Sequence, residues 1–172
     1  MGTLMRRFAW LFVALLVGGC GPASVDGTVN GDSMDSSDAV AELNQGSLVD
    51  TLHVVIGGST SDLCQDLSQG ILHQGSTMLQ LSIVAGTVQA QSYGIGTNIS
   101  AATMVGATAS KFDSACGDVL NASATGGTIT LTKVGGSDVE GSFDLVFKSG
   151  HLTGTFTASL CANTAVDLKS CQ

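Results

Sequence analysis

Arginine is nearly absent from this chain. Arg6 and Arg7 are the only two, and both lie in the first seven residues. Past residue 20 four lysines (Lys111, Lys133, Lys148, Lys169) stand against fourteen carboxylates, which makes a net charge of −10. Such a surface repels phosphate backbones and anionic headgroups alike. It excludes nucleic acid as a partner and disfavours electrostatic docking on anionic lipid. Proline occurs once, at Pro22, and the single tryptophan is Trp10. Beyond residue 20 the only aromatics are Tyr93, Phe112, Phe143, Phe147 and Phe156. Few rings are left to serve as sugar-stacking platforms, which weakens a glycan-binding reading without removing it.

Catalytic signatures are missing too. The chain holds no G-x-S-x-G, no H-E-x-x-H and no phosphate-cradling G-x-x-x-x-G-K-[ST]. Serines and aspartates are so common that a Ser–His–Asp set assembled on paper would carry no information. The three histidines, His53, His73 and His151, read as exposed single side chains. His53 lies opposite an apolar strand face and His151 at a turn beside Gly150. The expectation is a non-enzyme with no catalytic residues, no cofactor and no metal.

What is present begins at the N-terminus. Two arginines precede ten apolar residues, 8–17, and then Gly18, Gly19 and Cys20. This is the charged, apolar, small-residue order of an export signal. The apolar run falls short of the roughly 20 residues that span a bilayer. Val17-Gly18-Gly19-Cys20 resembles the lipobox of bacterial lipoproteins. That resemblance implies a diacylglyceryl group on the Cys20 thiol, cleavage before Cys20, and acylation of the new amine, with palmitate as the acyl class. Gly21, in place of an aspartate, implies sorting to the outer membrane, on its periplasmic or surface face. The membrane, reached through acyl chains on Cys20, is thus the first expected partner, and an envelope protein or glycan is the second. The expected division is a signal peptide over 1–19, a short lipidated tether over 20–24 and one β-rich domain over 25–172.

Five cysteines make an odd count, and lipidation of Cys20 would leave four: Cys64, Cys116, Cys161 and Cys171. An oxidising compartment makes two disulfides the natural reading. Three pairings exist. Cys64 with Cys116 and Cys161 with Cys171 is favoured, because the second closes a short C-terminal loop. No Cys-x-x-Cys pair supports zinc.

Valine, isoleucine, leucine, threonine and glycine dominate the rest, the composition of a β-rich domain. Residues 24–31 read as a short first strand. Asp32, Asp35 and Asp38 recur every third residue. Their spacing lacks the alternate ligands and central glycine of an EF-hand loop, so Asp35 is read as the cap of a short helix that runs on to Leu43. Leu52, Val54 and Ile56 mark a strand, and residues 60–70 a helix capped by Ser61 and ended by Gly70. Leu79, Leu81 and Ile83 mark another strand, followed by one with Tyr93 and Ile95. Residues 99–113 read as a strand with a bulge or bend near Gly106. The last third alternates most cleanly, through Ile129 and Leu131, then Phe143, Leu145 and Phe147, then Leu152, Phe156, Ala158 and Leu160. The fold class is therefore all-β: an antiparallel β-sandwich or partly closed barrel of about eight strands, with one or two short helices.

Within residues 126–161, Gly141-Ser142-Phe143 and Gly154-Thr155-Phe156 carry a second resemblance, to the closing meander of lipid-anchored β-domains in diderm bacteria. It implies a fold and no activity. The expected function is a lipid-anchored outer-membrane domain with a structural or binding role in the envelope. The alternatives are a small-ligand carrier with an internal apolar pocket and, behind it, a hydrolase. Metabolic labelling with a fatty-acid analogue should mark the wild type and leave Cys20→Ser unmarked. Label retained by Cys20→Ser would remove the anchor.

Overall fold

A computed structural model describes residues 22–35, 38–58, 62–96, 103–161 and 170–171. The signal segment, Cys20 and Ser61 lie outside these residues. Among those described, the elements are β1 (Ala23–Val29), β2 (Asp38–Gln45), β3 (Asp50–Gly57), α1 (Leu63–Gln69), β4 (Ile71–Leu72), β5 (Thr77–Ala85), β6 (Ser92–Ile95), β7 (Met104–Phe112), β8 (Asp118–Gly135), β9 (Asp138–Phe147), β10 (Gly150–Leu160) and β11 (Ser170–Cys171).

Seven strands close into a barrel, in the order β10, β2, β3, β5, β7, β8, β9 and back to β10. Every ladder in the ring is antiparallel except one. The exception is a short parallel contact, Ser159 and Leu160 of β10 beside Val40 and Ala41 of β2. Closure depends on two long strands that change partner midway. β10 pairs with β1 over Gly150–Phe156 and meets β2 only beyond that. β8, 18 residues long, leaves β7 after Ser123 and takes up β6 from Gly127. The register of β8 against β9 shifts between Ala124 and Gly126, and Gly127 has φ 119°, a conformation that favours glycine. The strand turns its corner there.

The alternation read from the sequence becomes an inside and an outside. Leu52, Val54, Ile56, Leu79, Leu81 and Ile83 point into the barrel from β3 and β5. Ile129, Leu145, Leu152 and the rings of Tyr93, Phe143, Phe147 and Phe156 meet them from the opposite wall. The outward positions carry Glu42, His53, Gln80, Ser82 and Thr108. A membrane-spanning barrel shows the reverse, an apolar outside.

The two Gly-[Ser/Thr]-Phe triplets interlock. β9 and β10 pair so that Gly141 faces Phe156 and Gly154 faces Phe143. Each ring lies over the glycine opposite. A Cβ on Gly141 would stand 2.9 Å from Cζ of Phe156, and one on Gly154 would stand 2.5 Å from Cζ of Phe143. Both rings are nearly inaccessible, and each is worth about 2–3 kcal/mol in buried area.

Two expectations are corrected. Residues 38–45 form strand β2, not a capped helix. Ala39 and Ala41 face the barrel interior while Val40 faces a second apolar cluster outside it, so both faces are covered and no polar alternation survives. The aspartates diverge: Asp32 accepts an ion pair from Lys111 at 2.6 Å, whereas Asp38 begins β2, its carboxyl pKa raised by desolvation and then by the nearby Asp62 carboxylate. The bulge expected near Gly106 falls instead between Lys111 and Phe112, and Gly106 pairs in regular register with Ser82. Helix α1 is capped by Asp62, which accepts from the Gln65 N–H at 3.0 Å, and ends as expected at Gly70 in the left-handed region.

Gly141→Ala and Gly154→Ala should each destabilise the domain by about 1–3 kcal/mol, because the new methyl would strike a main-chain carbonyl, that of Thr130 or Ser24, as well as the facing ring. Urea denaturation measures this. A loss under about 0.5 kcal/mol, the usual surface value, would mean that the close approach at these glycines does not hold the hairpin.

Candidate functional site

The outer wall of the barrel brings together residues that no motif announces. Glu42, His53, Ser82 and Gly106 are successive cross-strand partners on β2, β3, β5 and β7. The row below holds Gln80 of β5, Thr108 of β7 and Ser123 of β8. A groove of about 260 Å³ runs over these rows, lined by polar His53, Gln80, Ser82, Thr108 and Ser123 and by apolar residues that include Ile95 and Val105. Gly106 opens it, since a Cβ there would meet nothing within 4 Å. Low side-chain volume on β7 is legible in the sequence. Among the described residues that surface is open.

A carboxylate, an imidazole and a hydroxyl in one row raise the question of hydrolysis. The Glu42 carboxylate accepts from the Asn44 amide at 2.8 Å. Among the described residues no hydrogen bond joins Ser82 to His53, and His53 stands exposed to solvent. β3 and β5 are paired on both sides in unbroken register, so their amides are spent in ladders. What the row offers is hydrogen bonding to a polar ligand. The sequence places His53 correctly, opposite the apolar face. It gives no hint of its neighbours, which follow from register alone.

The other two histidines differ from expectation, because neither is single. His73 Nε2 lies 3.0 Å from Asp66 Oδ2 and ties the β4–β5 turn to α1. His151 Nε2 lies 2.7 Å from Asp144 Oδ1 across the β9–β10 hairpin, in solvent. Among the described residues no group of three His, Cys, Asp or Glu side chains could hold a metal ion.

The cysteines pair differently from the favoured reading. Cys64 bonds Cys161, and Cys116 bonds Cys171, each pair with Cα atoms 5.8 Å apart. The short C-terminal loop does not close on itself, because its two ends belong to different elements. Cys161 continues the barrel wall, its N–H bonded to the Ala41 carbonyl at 2.8 Å, and so arrives beside α1. Cys171 sits on β11, which pairs in parallel with β4 and reaches Cys116 in the β7–β8 turn. Together they enclose the second apolar cluster, Val40, Val55, Leu63, Leu67, Leu72, Met78 and Phe112, with Cys64, Cys116 and Cys161 packed against it. The bonds span 97 and 55 residues. Chain entropy assigns each about 4–5 kcal/mol, less than additively since the loops overlap.

Mass spectrometry of unreduced peptides should recover Cys64 linked to Cys161 and Cys116 linked to Cys171. A Cys64–Cys116 peptide in significant yield would overturn the pairing. Compared with known protein families, curated proteins and solved structures, the chain matches none.

Proposed function

We propose that this chain is a non-enzymatic, lipid-anchored domain of the bacterial envelope, held at the outer membrane through acyl chains on Cys20. It engages another envelope molecule, a protein or a glycan, with its outer wall. The filled barrel is the observation that supports external binding. A small barrel that carries a ligand leaves its interior open. Here Leu52, Ile56, Leu81, Tyr93, Phe143 and Phe156 meet across the middle. The groove over His53, Gln80 and Ser82 is where polar recognition has room.

The start of the fold supports the anchoring half. β1 begins at Ala23, and the Pro22 carbonyl already accepts from Thr157 N–H at 3.1 Å. Ladder order therefore reaches within two residues of Cys20. Acyl chains there would hold the barrel against the bilayer with almost no tether. Two or more chains are needed, since one binds a membrane only marginally. With its acidic surface, the domain owes nothing to charge in this attachment.

Fractionation tests the anchor, and lipid extraction tests the filled interior. The wild type should travel with outer membranes and Cys20→Ser with the soluble fraction. Protein purified from membranes should yield its covalent acyl groups and no second apolar molecule in stoichiometric amount. Recovery of one would favour a carrier and end the external-binding reading.

A further inference from the structure

Lysine is the only cation available to this domain, and the described lysines are committed with one exception. Lys111 is held by Asp32 at 2.6 Å. Lys133 lies between Asp138 and Glu140, 3.1 Å from the latter. It holds the Asp138 carboxyl below its usual pKa, mainly through their hydrogen bond. Lys148 has no carboxylate partner among the described residues. It stands on the β9–β10 turn, at the edge of a cleft of about 370 Å³.

Around Lys148 every other polar group is neutral, and Ala122 and Phe147 complete the lining. Asn30, Asn121, Ser123 and Ser149 line the cleft, and no carboxylate does. In a domain so rich in aspartate, a lysine in an acid-free cleft is a local reversal of sign. Asn121 and Ser123 alternate on β8 and so share a face, and their side chains make no hydrogen bond within the described protein. β8 adds main-chain donors. Before Ala124 it pairs with β7 alone, because β9 ends at Phe147 opposite Ala124. Every second peptide group of Leu120–Ser123 therefore points away from β7, on the side of the cleft.

The cleft is also preformed. Asn30 adopts φ 54°, which asparagine tolerates better than other side chains do, and its N–H bonds the Ser149 carbonyl at 2.7 Å. That bond fixes the end of β1 against the turn that carries Lys148. Gly150, at φ 133°, lets the two segments approach, because a Cβ there would strike the Thr28 carbonyl.

We infer that this cleft binds a small oxyanion, a carboxylate or phosphate group carried on a polar molecule. Lys148 supplies the charge, and Asn30, Asn121, Ser123 and Ser149 supply neutral donors. Such recognition needs no exposed ring and is therefore open to a domain that buries its tyrosine and phenylalanines. The site adjoins the wall groove at Ser123 and does not depend on lipid anchoring.

NMR titration of the purified full chain in detergent micelles tests this, with galacturonate, inorganic phosphate and neutral galactose as probes. At least one of the two anions should shift the amides of Asn121, Ser123 and Ser149 saturably, and galactose should not. The anion that binds identifies the source, a sugar acid or a phosphate. Lys148→Gln, a change at an exposed side chain, should weaken binding by about tenfold or more, as loss of a charged hydrogen bond does. Lys133→Gln should leave it unchanged. Absence of a saturable shift with either anion, equal binding by Lys148→Gln, or an equal response to galactose would each overturn the inference.

Discussion

Two phenylalanine rings laid over two glycines hold the β9–β10 hairpin, and the barrel is built outward from it. Phe143 covers Gly154 and Phe156 covers Gly141, so neither pair admits an extra carbon. The register they set is continuous from Gly150↔Phe147 to Ser159↔Asp138. A slip of one residue would turn Phe143, Leu145 and Phe147 to solvent and lose several kcal/mol of buried area. A fixed hairpin places the end of β10 beside β2. Two residue pairs of parallel ladder then close the ring, which is little contact for so much consequence.

That weak closure explains the placement of the second cluster. The parallel contact sits next to Cys161, whose bond to Cys64 brings α1 down over Val40 and Val55, the outward side chains of the strands at the seam. Cys116–Cys171 covers the other flank, beside Leu72 and Phe112. Cys64–Cys161 thus reinforces the part of the wall with the fewest ladder bonds. A pairing of Cys64 with Cys116 would have tied the end of β10 to Cys171 and not to α1.

How much of this was legible follows from what each strand faces. β9 reads directly, since its buried positions alternate without a break and only one face is covered. β2 does not read at all. Ala39, Val40 and Ala41 are covered on both faces, and alanine carries no strand preference, so Asp35 and Asp38 dominate the local pattern and suggest a cap. β8 is legible only in its second half. Its first half, Val119-Leu120-Asn121-Ala122, pairs with β7 and exposes Val119, and a periodic reading discards it. The disulfide pairing is a property of topology. Only the ring order brings residues 64 and 161 together. His53 was placed on its proper face, but its row with Glu42 and Ser82 required registers across three ladders.

The same partition decides where chemistry can occur. Apolar side chains fill the inside, so the barrel offers a ligand only its wall and its rims. Past residue 20 the chain is acidic and arginine-free, which repels anions generally. Against that field, one uncommitted lysine flanked by amides and hydroxyls is a selective feature and not a general attraction. Long-range charge would oppose the approach of an anion, and short-range donors would hold it once there. Affinity at such a site should therefore rise with salt at first, as the repulsive field is screened before the direct contacts are. A site that worked through bulk positive charge would lose affinity from the start.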